Sequence, residues 1–232
     1  MSSEKISVWI KEKVNQAGAK GIIVGLSGGI DSSVVAALSK KAVGNNMLGV
    51  IMPCHSIQTD TEHAKLLAKK FGIKSEFVDL TPIYDFIIKI FPRGNDIAKA
   101  NLKPRLRMLT LYYFANTNGY LVAGTGNKSE EMVGYFTKYG DGGVDILPIG
   151  DLLKKDVKTL AQELGVPKEI IEKPPSAGLW DGQTDEKEMG ITYEQLDSIL
   201  QNNNFNGELG RKVSEMIRKS EHKRRPPEVC KL

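Results

Sequence analysis

A chain of 232 residues is long enough to bury one large α/β core, or one core with an appendage. Its formal net charge of +4 suits an anionic ligand without demanding nucleic acid, and the longest basic run, Lys223-Arg224-Arg225, reads as a solvated tail. Cys54 and Cys230 belong to no CxxC pair, which speaks against a disulfide framework or a structural zinc site. No apolar stretch approaches membrane-spanning length and the N-terminus lacks a signal-peptide core, so the expected location is cytoplasmic.

In chain order, residues 5–16 read as a helix with Ile6, Trp9, Ile10 and Val14 on one side. Residues 22–26 form a short apolar run bounded by glycines, a buried strand, and 32–43 are helical. A second strand is expected at 47–52. Thr59-Asp60-Thr61-Glu62 has the form of a capping box opening a helix that runs to Gly72. A third strand follows at 76–80, and Thr81-Pro82 caps another helix. Residues 102–118 form a long helix whose second half is apolar nearly all round, which predicts burial on several faces, in a deep core or a subunit interface. A fourth strand is expected at 120–124, a short fifth at 145–149, an amphipathic helix at 152–164, and two more helices near 192–201 and 207–220. Residues 173–190 are rich in Pro, Gly and acids and show no period.

Strands alternating with helices imply a doubly wound, mostly parallel sheet covered on both faces, with ligands beyond the carboxyl ends of the strands. The turn after the first strand reads Gly25-Leu26-Ser27-Gly28-Gly29-Ile30-Asp31-Ser32. As a Walker loop it fails, because Ile30 and Asp31 stand where Gly and Lys belong. As a nucleophile elbow, with Ser27 attacking and His222 downstream, it sits too early, since hydrolases of that fold place several strands before the elbow. It fits the SGGxDS loop of the ATP pyrophosphatases, the PP-loop enzymes. Glycines let backbone N–H groups approach phosphate oxygens, Ser27 and Ser32 add hydroxyls, and the following helix offers its positive end. Asp31 would repel a polyphosphate unless a cation stands between them, so an acid here predicts Mg²⁺.

Further blocks follow in order: NLKPRLRM, GTGNKSE, GYFTKYGDGGVDILPI and KPPSAGLWDGQTDE. With the loop they resemble the NAD synthetases, ligases that amidate deamido-NAD, over residues 20–225. The resemblance implies an adenine nucleotide alpha hydrolase-like α/β fold with extra C-terminal helices. It implies conversion of deamido-NAD, ATP and ammonia into NAD, AMP and pyrophosphate through an acyl adenylate. By matching position, Gly25, Leu26, Ser27, Gly28, Gly29, Ile30, Asp31 and Ser32 hold ATP together with Thr125, Lys154 and Ser176. Asp31 and Glu130 bind Mg²⁺, and Asp31 and Lys154 are the catalytic pair. Arg105, Lys138, Asp145, His222 and Lys223 contact deamido-NAD. Pro104 beside Arg105 leaves the direction of that side chain open.

The resemblance also implies a homodimer joined through the helix around 109–114, with deamido-NAD across the interface, and small-molecule partners rather than nucleic acid or membrane. Residues 1–232 are expected to form a single synthetase domain. Only about twenty residues precede the first strand, so no glutamine-hydrolysing domain is expected, and ammonia arrives free or from a separate amidase subunit. The stretch 173–190 is expected to act as a lid, with Ser176 reaching a phosphate and Trp180 covering the intermediate. Other readings are a different PP-loop enzyme, such as a tRNA thiolase or the ATPase subunit of a GMP synthetase, and a non-catalytic nucleotide-binding module. Taken singly, Glu130 fits an ordinary first-turn acid, Lys154 a solvated face and His222 an exposed helix position.

Overall fold

The computed structural model describes residues 3–176, 178 and 182–231. Within them four parallel strands stand in the order β3-β2-β1-β4: β1 (Gly21–Gly25), β2 (Met47–Ile51), β3 (Lys74–Phe77) and β4 (Tyr120–Val122). The first strand pairs with β2 from Ile22 opposite Met47 and with β4 from Gly21 opposite Tyr120, so it is internal, as expected. Successive side chains of a strand point to opposite faces. Ile22 and Val24 enter one core with Ile10, Leu38, Leu67 and Leu160. Those residues come from α1 (Ser3–Gln16), α2 (Ile30–Val43), α3 (Gln58–Lys70) and α7 (Lys154–Leu164). Ile23 enters the other with Leu48, Val50, Leu106 and Ala115, under α4 (Thr81–Ile90) and α5 (Asp96–Asn118). Burial on both faces explains why these strands read as continuous apolar runs.

A third, smaller core gathers Val133, Met189, Ile191, Tyr193, Leu196 and Val213. It joins α6 (Lys128–Val133) and α9 (Asp185–Met189) to α10 (Tyr193–Asn202) and α11 (Gly207–Arg224), the latter two being the expected C-terminal helices. The short α6, α9 and α8 (Lys168–Ile171) escape a periodicity reading because one turn carries too little pattern.

Several boundaries differ from the sequence reading. The fifth strand does not form as a strand: Ile146 makes a single parallel bridge to Ala123. The Asp145 carboxylate accepts the Val122 N–H at 2.7 Å, and Pro148 has no N–H to continue a ladder. The capping box at 59–62 is also absent. Helix α3 starts at Gln58 after Ile57, without a side-chain cap, so Thr59 lies inside the helix rather than at its cap, and Glu62 accepts from Gln58 Nε2 instead. Strand β3 lies earlier than expected, although backbone bonds continue from Val78 to Ile51 and from Leu80 to Pro53. Thr81 is the first residue of α4 rather than its cap, and its N–H is taken by Asp79.

Helix α5 begins six residues before expectation, capped by Asn95 accepting from Ala98 N. Pro104 lies inside it, facing the protein interior. The all-round burial expected of its second half is not found in the single chain. Leu106 and Ala115 are buried, whereas Leu109 and Tyr113 are 63% and 68% exposed. The basic run at 223–225 is not a solvated tail: Lys223 and Arg224 close α11, and Arg224 donates to the carbonyls of Glu131 and Ile217.

Gly49 in β2 faces Leu26: a Cβ there would meet Leu26 Cδ1 at 2.5 Å. Gly49→Val should therefore cost about 1–3 kcal/mol through overpacking. In urea unfolding, the Leu26→Ala, Gly49→Val double variant should lose less than the sum of the two single variants. Strict additivity would mean that the pair does not set the height of the loop.

Candidate active site

Beyond β1 the chain turns at Gly28, whose φ is +76°. A Cβ at Gly28 would sit 2.2 Å from the Asp60 carbonyl oxygen, so both conformation and space demand glycine. Hydroxyls hold the loop in shape. Ser27 Oγ accepts from Gly29 N at 3.2 Å and lies 2.9 Å from Ser32 Oγ, while Ser32 and Ser33 donate to the Gly29 carbonyl. Gly29 caps α2 without a side-chain bond. The first N–H groups of α2 thus remain available to an anion.

Asp31, in the first turn of α2, meets residues from two other helices. Its Oδ1 accepts from Asn127 Nδ2 at 2.9 Å and its Oδ2 from Lys154 Nζ at 2.6 Å. The same ammonium donates to Glu130 Oε1 at 3.0 Å. Asn127 caps α6 by accepting from Glu130 N, which fixes Glu130 in the first turn. Lys154 opens α7 and is 8% exposed. Burial pulls its pKa down, but the charges of Asp31 and Glu130 outweigh this and hold it above the ordinary lysine value. Burial pushes Glu130 upward against the pull of Lys154.

The start of α7 is anchored from below. Ser129 Oγ accepts from Lys154 N at 3.0 Å and donates to Asp197 Oδ1 at 2.5 Å, and Asp197 Oδ2 accepts from Lys155 N at 2.9 Å. Asp197 is 2% exposed, a buried carboxylate at the positive end of α7. A second chain of polar groups runs outward from Glu130. Tyr193 Oη lies 2.9 Å from Glu130 Oε1 and 3.0 Å from Asp185 Oδ2. Tyr135 Oη lies 3.1 Å from Asp185 Oδ1 and 2.8 Å from Glu188 Oε2. Burial, then the neighbouring carboxylates, raise both phenols well above their usual range.

These groups open on a cavity of about 460 Å³, within the range of small-ligand sites. Gly25, Leu26, Ser27, Gly29, Ile30, Asp31, Ser32, Thr125, Glu130, Lys154 and Ser176 all line it, so nearly the whole expected ATP and metal set converges. Gly28 turns instead toward Asp60. Ser176 Oγ accepts from Gly178 N. Trp180 lies outside the described residues. Asp31 and Glu130 oxygens meet at one point, the Lys154 nitrogen. Hard carboxylate oxygens converging in this way fit Mg²⁺. Among the described residues no group of three or more His, Cys, Asp or Glu could hold a metal, so a Mg²⁺ there would draw its other ligands from phosphate and water.

The expected deamido-NAD residues separate. Arg105 is exposed and donates to the Lys138 carbonyl at 3.4 Å, and Lys138 Nζ donates to the His222 carbonyl. Lys223 lines the main cavity and donates to the carbonyls of Gly134 and Phe136. Asp145 belongs to a smaller cavity with Glu131 and Arg224, and accepts from Tyr112 Oη at 2.9 Å. Sequence reasoning missed Asn127, Ser129, Asp185, Tyr193, Asp197 and Arg107. Asn127-x-x-Glu130 is a legible capping pattern. Arg107 was legible from helix phase, because Asn101, Pro104, Arg107, Met108 and Leu111 recur at helical spacing and all line the cavity.

Fold and site together define an α/β nucleotide-handling protein of the PP-loop type, with an acid in the glycine-serine turn and a lysine opposite it. A family model described as NAD synthase matches residues 2–227, and the chain belongs to that family. It is 52% identical over 223 residues to the NH(3)-dependent NAD(+) synthetase of Finegoldia magna, covering 96% of this chain and 92% of that one. Among solved structures it resembles an NMN synthetase from Francisella tularensis, with TM-score 0.94, 37% identity and coverage of 99% and 97%. It also resembles an NH3-dependent NAD synthetase from Campylobacter jejuni in complex with nitrate, with TM-score 0.82, 31% identity and the same coverage.

Removing the Asp197 carboxylate leaves Ser129 and the first N–H groups of α7 without their buried partner. Asp197→Ala should cost about 2–3 kcal/mol in urea unfolding. Nucleotide binding should weaken as well, although Asp197 does not line the cavity. Wild-type stability and binding would show that α7 is held otherwise.

Proposed function

We propose that this chain is an ammonia-dependent NAD synthetase: it uses ATP to amidate deamido-NAD, releasing NAD, AMP and pyrophosphate. The observation that carries the reading is the meeting of Asp31, Glu130 and Lys154 beneath the glycine-serine loop, in a member of the NAD synthetase family. A carboxylate does not react with ammonia because oxide is a poor leaving group. Its attack on the α-phosphorus of ATP expels pyrophosphate and makes an acyl adenylate. Ammonia then adds to the acyl carbon, AMP leaves, and a proton is released.

The loop N–H groups, Ser27 and Ser32, with Thr125 and Ser176, hold the ATP phosphates, and Lys154 offsets the charge that develops on them. Asp31 and Glu130 hold Mg²⁺, which when bound neutralises phosphate charge. Arg105, Lys138, Asp145, His222 and Lys223 form the deamido-NAD side. Asp185 lines the cavity and reaches the exposed Glu188 through Tyr135, a route by which the released proton reaches solvent. The exposed apolar side chains of α4 and α5, including Phe86 at 63%, Leu109 and Tyr113, support a homodimer. Among the described residues no helix is long and apolar enough to cross a membrane, which accords with a cytoplasmic enzyme. The likeness to an NMN synthetase favours a second reading, in which the acid amidated is a mononucleotide.

The test is amide formation from each acid, with ammonium or glutamine as donor and ATP–Mg²⁺ present. NAD formed from deamido-NAD and ammonium, with little from glutamine, is the expected outcome. Faster turnover of the mononucleotide acid would move the assignment to the second reading. Asp31→Asn and Glu130→Gln should each lower kcat by about 30-fold or more, the equivalent of ~2 kcal/mol of charge-assisted contact. Near-wild-type rates in both would place the metal elsewhere. Leu109→Glu with Tyr113→Glu should sediment as a monomer at micromolar concentration, and an unchanged dimer would clear that face of any role.

A further inference from the structure

Helix α5 carries two arginines near the cavity, and only one of them faces it. Arg105 points outward to the Lys138 carbonyl. Arg107, two residues on and therefore about 200° around the helix, lines the cavity between the end of β2 and the 137–144 stretch. Its Nε donates to the Met52 carbonyl at 3.2 Å and its Nη2 to Ser56 Oγ at 3.3 Å. Both partners are neutral. Among the described residues no carboxylate comes within 4 Å of the guanidinium.

A guanidinium has five N–H donors in a planar fork. Here two bonds fix its orientation against β2 and leave the rest of the fork for a ligand. Desolvation lowers its pKa, and the carboxylates of Asp141 and Asp60 act on it only from a distance. A partly buried cation without a partner of opposite charge is costly unless something anionic comes to it. The two bonds already made are the kind that pre-position a fork for a planar or tetrahedral oxyanion.

We infer that Arg107 is an oxyanion-binding residue of the substrate cavity, taking a phosphate or carboxylate group on the α5 wall opposite the glycine-serine loop. The inference rests on the cavity being the synthetase site proposed above. Two sources supply this chemistry there: the phosphates of ATP, and the acid substrate through its carboxylate or its own phosphates. Arg107 is thus the anion site that faces the cavity from α5, while Arg105 acts at the surface.

Binding measured without turnover separates the sources and does not depend on the amidation reading. Affinities for ATP, adenosine, deamido-NAD and NAD are compared by calorimetry in the wild-type protein and in Arg107→Met. A loss of roughly 10- to 100-fold is expected for the ligand whose oxyanion is held. Loss for ATP but not for adenosine assigns the ATP phosphates. Loss for deamido-NAD but not for NAD assigns the carboxylate, and equal loss for both assigns the phosphates of the dinucleotide. Arg107→Lys, which keeps the charge but not the fork, should recover part of the loss. The inference is overturned if all four affinities stay within threefold of wild type. It is also overturned if adenosine and ATP weaken equally while thermal stability falls, since Arg107 would then only hold residues 52–56 in place. Should Arg107→Met not fold, Arg107→Gln retains an amide donor for the Met52 carbonyl and carries the same comparison. A wild-type protein that binds these ligands yet forms no amide would refute the synthetase reading alone.

Discussion

The ammonium of Lys154, held between Asp31 and Glu130, is the contact on which the site depends. It ties α6, which packs on α10 and α11, to α2 and α7, which pack against each other in the main core. Two partly buried carboxylates that close together repel strongly, and neither position is sustainable without a cation. The protein supplies that cation itself. Asp31 and Glu130 are also the two carboxylates that would hold a Mg²⁺ in the proposed reaction, where the ion would neutralise phosphate charge.

The neighbouring groups hold that trio in place. Asn127 caps α6 with its carbonyl and steadies Asp31 with its amide, so one side chain serves two of the three helices. Asp197 plays the matching part for α7 through Ser129 and Lys155 N. The C-terminal helices are therefore more than an appendage. Tyr193 and Asp197, both on α10, reach the two sides of the Lys154 site. The small third core behind them is what keeps α10 at that distance.

Much of this was legible in the sequence. Strands β1, β2 and β4 announce themselves as apolar runs because both faces of the sheet are covered. The loop from Gly25 to Ser32 is specific because each residue type there has a mechanical reason. The edge of the sheet was harder to read. Strand β3 is largely exposed and has no apolar run to mark it, and the residues at 145–149 use a side chain where a ladder would use backbone. The two arginines of α5 carry little local signal of their own: Arg105 points outward and Arg107 toward the cavity, a difference of helix phase. That phase is legible only once the helix is read through Pro104, which in a soluble helix usually marks a boundary and here lies eight residues inside one.

Gly28 shows how far the loop's geometry reaches. Its close approach to the Asp60 carbonyl makes the start of α3 one wall of the glycine-serine turn. Asp60 in turn pairs through its side chain with Lys173, at the head of the stretch that carries Ser176. A single residue thus touches the glycine-serine loop with its backbone and the neighbouring loop with its carboxylate. Any shift of α3 that opened room beside Gly28 would also move the partner of Lys173. The height of the turn and the placement of Ser176 therefore belong to one mechanical unit, set by a glycine that tolerates no side chain and an aspartate whose carboxylate is held by Lys173.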